Sequence, residues 1–355
     1  MEKVIVGMSG GVDSAAAAWL LREAGYDVTG VTLRTWSSGE SSRCCEIDDA
    51  RAAARRIGIP FHALNCVDAF RDAVLTPFAD SCRRGLTPNP CVVCNRSVKW
   101  ARLLHTAALL GADRVATGHY ASVERLADGR WTVRRGADAG KDQSYMLCRL
   151  TQDQLARTLL PLGDRTKAEV RALARWAGLP TADKPDSQEL CFLSAGGRGE
   201  HLARVLGPEV PGTGPFTDPA GNVLGTHRGV YRYTVGQRRG LGLALGRPVY
   251  VSRIDAAANR VVVGEEADLY RETVHCRLLH FQALADLPPA APTPALVQIR
   301  YRHPGAAATL ERVGRDLLRV VFRRPVRAPA PGQEAVFYDG AGRVLGCGEI
   351  CPEKD

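Results

Sequence analysis

Over the first half of the chain, short apolar runs alternate with longer amphipathic ones. Residues 4–7 form an apolar, strand-like run, and residues 13–24 an Ala- and Leu-rich helix. Residues 28–33 read as a second strand, and 48–57 as a helix that stops at Gly58. The series continues with a strand at 60–64, a helix at 97–110 and a strand at 114–117. Helical patterns recur at 155–158 and at 167–177, the latter closed by Gly178. Such alternation predicts an α/β fold with a mostly parallel sheet, covered on both faces, whose ligands bind at the carboxyl ends of the strands.

Around residue 195 the pattern changes. Residues 194–199 are Gly-rich and 207–214 carry both Gly and Pro, which predicts a linker. Beyond them β-branched runs take over, at 249–254, 260–264, 295–301, 317–322 and 333–338, with turns such as Asp339-Gly340. Short strands between turns predict small β-barrels. The Pro-rich segment 287–294 reads as a loop inside the last of them. The expected division is 1–198 for the α/β domain, 199–268 for a central β-rich domain and 269–355 for a C-terminal β-barrel.

Composition narrows the class. With 355 residues, 45% hydrophobic and 24% charged, the chain has material for several globular cores. No apolar run is long enough to cross a bilayer, and the first residues lack the apolar core of a signal peptide, so a cytoplasmic location is expected. A formal net charge of +9 favours a polyanionic partner. Eleven cysteines in a reducing compartment shift some of them toward catalysis or metal binding.

The first candidate for chemistry is Ser9-Gly10-Gly11-Val12-Asp13-Ser14, between the first strand and its helix. The glycines let the backbone turn tightly and expose N–H groups to a phosphate, beside the positive end of the helix. Ser9 and Ser14 add hydroxyl donors, and Asp13 could hold Mg²⁺ through water. The Lys of a GxxxxGK[ST] loop is missing. The six residues resemble the signature of the PP-loop ATP pyrophosphatases, whose domain is adenine-nucleotide α-hydrolase-like. That resemblance implies ATP with Mg²⁺, cleaved between its α- and β-phosphates to activate a carbonyl oxygen as an adenylate.

Two further words address the acceptor: Thr87-Pro88-Asn89-Pro90-Cys91-Val92-Val93-Cys94-Asn95, and Asp186-Ser187-Gln188-Glu189-Leu190-Cys191-Phe192. With the glycine loop they resemble the tRNA-specific 2-thiouridylase family, which makes 2-thiouridine at the wobble position. The resemblance spans nearly the whole chain, through Thr117-Gly118-His119-Tyr120, Lys141-Asp142-Gln143-Ser144-Tyr145 and Tyr233-Thr234-Val235-Gly236-Gln237-Arg238. It implies that Cys191 carries a persulfide and that Cys94 is the catalytic nucleophile. It also implies an ATP site formed by Gly7, Met8, Ser9, Gly10, Gly11, Val12, Asp13 and Ser14, with Leu33 and Gly118. Contacts to tRNA are implied for Asn89, Pro90, Cys91, His119, Lys141, Asp142, Gln143, Arg300, Tyr301 and Gln333. The partners implied are the anticodon arms of the tRNAs for Lys, Glu and Gln, and a sulfur donor such as a cysteine desulfurase or relay protein. A membrane is not among them.

The chemistry stands on its own terms. Once the uridine O2 is adenylated, C2 is electrophilic, a persulfide supplies sulfur and a second thiol resolves it through a disulfide. One departure matters: where many members of that family have Asp, this chain has Cys91, three residues before Cys94. Cys91, Cys94 and Cys191 could together hold a [4Fe–4S] cluster with one open iron, or a zinc with an open position. Both the persulfide and the cluster route are therefore open. A PP-loop enzyme with another acceptor would need neither Cys94 nor Cys191, and a non-catalytic RNA-binding protein would not turn over ATP. Arg238 and Arg239 suit backbone phosphates. The remaining cysteines read as packing: Cys44-Cys45 at a helix start, Cys66, Cys82, Cys148 and Cys276 without a partner at useful spacing, and Cys347 with Cys351 on one face of a final strand.

Overall fold

Val4, Ile5 and Val6 are all essentially inaccessible, as a central strand covered by helices on both sides requires. A computed structural model describes residues 1–35, 47–186, 190–192, 197–288 and 291–352. In it β1 (Lys3–Gly7), β2 (Asp27–Arg34), β3 (Phe61–Asn65) and β4 (Arg114–Thr117) pair in parallel. After a hairpin, β5 (Ala121–Arg125) and β6 (Trp131–Arg135), the short β7 (Thr158–Leu159) adds an edge. The sheet order is β3-β2-β1-β4-β7, so the winding reverses between β1 and β4 and opens a crevice beyond their carboxyl ends.

Side chains of β1 alternate between two cores. Val4 and Val6 face α1 (Val12–Glu23) and α2 (Ile47–Ile57), while Ile5 joins the larger core on the other face. That larger core is built on α3 (Thr76–Arg83), α4 (Pro90–Cys94) and α5 (Ala101–Leu110). Helix was expected from residue 97, but it starts at Pro90 and runs through a wide π-type stretch, Asn95–Trp100, into α5. Cys94 is thus on a helix, next to the kind of irregularity common at functional sites.

Two other expectations need correction. The helix expected at 155–158 is α6 (Gln152–Ala156), and the chain then becomes β7 at Thr158. The Thr158 hydroxyl accepts the Trp100 indole N–H at 2.6 Å and donates to the Gln154 carbonyl at 2.6 Å, which fixes this change of direction. After α7 (Lys167–Trp176), the Gly-rich linker expected at 194–199 is in part the start of α8 (Gly197–Leu206). Its amphipathic remainder explains the helix, because Leu202 is fully buried in the larger core.

The rest is β-structure. β8 (Gly214–Thr217), β9 (Val223–His227), β10 (Tyr250–Asp255) and β11 (Arg260–Gly264) form a sheet of order β10-β11-β8-β9. β12 (Tyr270–Phe281), β13 (Thr293–Gln298), β14 (Ala306–Gly314), β15 (Leu317–Arg327), β16 (Glu334–Tyr338) and β17 (Val344–Ile350) close into a six-stranded barrel. The barrel is locked to the α/β domain by the buried Gln282. Its side chain accepts the Val133 N–H at 3.1 Å and donates to the Leu147 and Leu150 carbonyls. Among the described residues no helix is long and apolar enough to cross a membrane.

Candidate active site

β1 ends at Gly7, and the chain turns through residues 8–11 into α1 at the mouth of the crevice. Gly10 takes φ +76°, which a side chain resists, and Gly11 is the extended N-cap of α1. Ser14 folds back over the turn, its hydroxyl accepting the Ser9 N–H at 3.0 Å and donating to the Gly11 carbonyl at 3.2 Å. Met8 is tied to β2, its carbonyl accepting the Thr32 hydroxyl at 2.7 Å. Val12 and Leu33 are buried. Gly118, after β4, packs on the turn itself, since a Cβ there would lie 2.6 Å from the Asp13 carbonyl carbon and the Ser14 nitrogen. A helix N-terminus behind a tight glycine turn is a concavity suited to phosphate.

Asp13 projects from this turn into a group of charges that the sequence did not bring together, and Lys141, expected to meet tRNA, is part of it. The Lys167 ammonium donates to both Asp13 oxygens, at 2.7 and 2.8 Å, and the Tyr120 hydroxyl donates to one at 2.8 Å. Lys167 also reaches Asp186 at 2.8 Å, and Asp186 holds Lys141 and Arg171, each at 2.9 Å. Burial would raise the Asp186 carboxyl, but Lys167 and Lys141 outweigh it and hold it down to about 2. Burial, reinforced by Asp13, pushes the Tyr120 hydroxyl well up, so it remains a proton donor. On the other side of the turn Lys184 donates to the Gly10 carbonyl at 3.2 Å and pairs with Asp49 at 2.7 Å.

The two cysteine words pack into one core. Asn89 caps α4 by accepting the Cys91 N–H at 3.1 Å, and Pro90 occupies the first turn, where its missing N–H costs nothing. Cys91 is half-buried and Cys94 buried, three residues apart on that helix. Cys94 lies in the larger core together with Phe192, and Leu190 and Cys191 pack against it. Phe192 anchors its segment between Phe70 and Phe78, with ring centroids 5.8 and 5.5 Å away. Among the described residues, the sulfurs of Cys91, Cys94 and Cys191 do not gather within 4.8 Å of one another, so no preformed mononuclear metal site joins them. Ser187, Gln188 and Glu189, like Cys44 and Cys45, lie outside the described residues.

The residues expected to meet tRNA divide into two groups. Around the cysteine helix, the barrel loop before β16 clasps the chain leading to Asn89. Thr87 donates to the Pro331 carbonyl at 2.7 Å, the Gln333 amide donates to the Thr87 carbonyl, and the Tyr145 hydroxyl donates to the Glu334 carbonyl at 2.9 Å. Tyr301 stands beside Tyr145, centroids 6.2 Å apart, with its hydroxyl pushed up by burial. Arg300, lowered by burial, donates to the Arg327 carbonyl at 3.1 Å. The other group works within the fold. Asp142 accepts the Gly136 and Ser144 N–H groups, and Gln143 accepts the Tyr120 N–H at 3.0 Å. His119 sits 2.7 Å from the Thr117 hydroxyl, and burial, helped by Lys99, lowers it to about 3.

Cys148, which lacked a partner at useful spacing, and Cys347, which was grouped with Cys351, meet at the seam between barrel and α/β domain. With Glu334 they form the one group of three metal-type ligands within 4.8 Å among the described residues. Arg149 already holds both Glu334 oxygens, at 2.6 and 2.9 Å, and burial keeps the Cys148 thiol protonated. This group is a packed seam rather than an open ligand set.

Comparison with known proteins gives a consistent picture. Three family profiles match in succession: a tRNA methyl transferase HUP domain over residues 2–195, a tRNA methyl transferase PRC-barrel domain over 200–265 and an aminomethyltransferase beta-barrel domain over 273–350. The chain is 47% identical to the tRNA-specific 2-thiouridylase MnmA of Moorella thermoacetica over 358 residues, 98% of each chain. It is 43% identical to the tRNA-specific 2-thiouridylase MnmA of Lachnoclostridium phytofermentans over 360 residues, 99% of each. Among solved structures, the U34-tRNA thiolase NcsA of Methanococcus maripaludis, with its [4Fe–4S] cluster, overlaps at 20% identity and a TM-score of 0.35. That overlap covers 57% of this chain and 63% of the other, too loose to bear on the site.

Proposed function

This chain belongs to the tRNA-specific 2-thiouridylase family, and from that premise we propose that it uses ATP to replace O2 of a tRNA wobble uridine with sulfur. The observation that carries the reading is a tight glycine turn at the carboxyl end of β1 together with two thiol-bearing segments packed into one core on a face of the same parallel sheet. A methyl transfer, which the profile wording names, has no use for that combination. An adenylating thiolase needs both.

The uridine O2 attacks the α-phosphate of ATP and pyrophosphate leaves. A persulfide on Cys191 then presents its outer sulfur to C2, and AMP departs. Cys94 attacks the inner sulfur of Cys191, so the transferred atom is reduced to the thiocarbonyl while the two cysteines become a disulfide. An external thiol reductant restores them. Asp13, whose carboxylate is about one-third exposed beside the turn, is the group that would hold Mg²⁺ through water, and the ion would neutralise phosphate charge. The basic surface and the Tyr301–Arg300 corner beside the cysteine helix suit a flipped base and its backbone. The substrates proposed are the anticodon arms of the Lys, Glu and Gln tRNAs, with a cysteine desulfurase or relay protein delivering sulfur in the cytoplasm.

Cys94→Ser and Cys191→Ser are each expected to abolish thiouridine formation from ATP, a persulfide donor and unmodified tRNA while keeping tRNA affinity. Thiolation at the wild-type rate by either variant overturns the sulfur route. A second reading is favoured by Cys91, which lies on the same short helix as Cys94: a [4Fe–4S] cluster held by Cys91, Cys94 and Cys191. Iron and sulfide analysis after anaerobic purification separates the two, because an iron-free protein that still thiolates tRNA excludes the cluster.

A further inference from the structure

Lys167 is the first residue of α7, where a cation opposes the helix dipole. Its position is nonetheless firmly set. Thr166 and Glu169 form a reciprocal capping box around it, and its own N–H donates to Asp138 at 2.9 Å. The side chain is largely buried and lies between two carboxylates from distant parts of the chain. An ammonium has three N–H donors. Here three oxygens lie within reach, Asp13 Oδ1 and Oδ2 and Asp186 Oδ1, at 2.7, 2.8 and 2.8 Å.

We propose that Lys167 is a positioning residue that couples the phosphate turn to the sulfur-carrying segment, exchanging Asp186 for ATP phosphate when the nucleotide binds. The inference rests on the thiolation reading above, which puts ATP at the turn and sulfur on Cys191. Asp13 belongs to the turn, and Asp186 lies five residues before Cys191. With its donors spent, Lys167 can donate to a phosphate oxygen only by giving up one of these three carboxylate oxygens. Asp186 is the one it can release, because Arg171 and Lys141 keep that carboxylate compensated at 2.9 Å each. Among the described residues Asp13 pairs with no second cation in this group, only with the Tyr120 hydroxyl. The exchange therefore takes from Asp186 one of its three ionic ties and leaves the turn intact.

The test is the rate at which Cys191 reacts with a thiol reagent, resolved by mass spectrometry on the full-length protein, with and without a non-hydrolysable ATP analogue. In the wild type the analogue is expected to raise that rate roughly three- to tenfold, the span that one partly buried ion pair supports. Asp186→Asn keeps the Lys167–Asp13 contact, so it should bind the analogue normally yet show the fast rate with or without it. Lys167→Met should also lose the response, and Lys167→Arg should restore part of it. An unchanged analogue response in Asp186→Asn or in Lys167→Met overturns the coupling. A wild type that binds the analogue but shows no response at Cys191 also overturns it while leaving the thiolation reading untouched. A wild type that binds no analogue removes that reading itself.

Discussion

Gly118 has no room for a side chain, because its backbone lies against the carbonyl of Asp13 and the amide of Ser14. Overpacking of this kind costs about 1–3 kcal/mol, and here the yielding element is the phosphate turn. Gly118→Ala is accordingly expected to weaken ATP binding roughly ten- to a hundredfold, as titration calorimetry would register. His119, next in the chain, is held neutral: its folded value is about 3 against an ordinary value near 6.5. Between those limits the unfolded chain takes up a proton that the folded one refuses, so stability rises with pH through this window. The penalty is fully present below about pH 3 and gone above about pH 6.5. Urea titrations from pH 4 to 7 should show a shallower pH slope for His119→Gln than for the wild type. At this scale the sequence was most legible where flanking residues made a word. Asp13, Cys94 and Cys191 stand in such words, whereas Lys167 and Arg149 are single residues with partners more than a hundred positions away.

Local order at the start of α7 sets where Lys167 points. The capping box joins the Thr166 hydroxyl to the Glu169 N–H and the Glu169 carboxylate to the Thr166 N–H, the latter at 2.6 Å. Thr166→Ala should cost about 0.5–2 kcal/mol of stability and raise the KM for ATP more than it lowers kcat, because the first turn frays with the cap. Denaturation and steady-state kinetics on one preparation check both parts. Elements with a strong period were readable, as β1 and α1 show. The start of α4 was not, since helix was expected only from residue 97, and it is Asn89 capping and Pro90 opening the helix that move its start forward. α8 was masked by its glycines, and only the burial of Leu202 against the larger core makes it a helix. β7 needed the Trp100–Thr158 contact, which no local pattern announces.

Across the molecule, the barrel completes the α/β domain rather than merely following it. Arg149 and Glu334 form a bidentate pair at the seam, with side chains only 12% and 8% exposed. Removing one member leaves the other charge buried without compensation, so Arg149→Met should cost about 3–5 kcal/mol. Arg149→Met combined with Glu334→Met should cost less, and a double-mutant cycle in urea measures the difference. Small β-rich units after residue 195 were readable from their turns and β-branched runs. Their docking was not, because Gln282, Gln333 and Cys347 carry no local mark of the partners they find. The clasp of Gln333 on Thr87 also has a meaning for biosynthesis. A ribosome makes the cysteine helix early, but the residues that steady its approach emerge some two hundred and forty codons later. A chain that has not yet reached Gln333 therefore lacks this tie, and the stretch leading into the cysteine helix has its full set of contacts only once the barrel has been made.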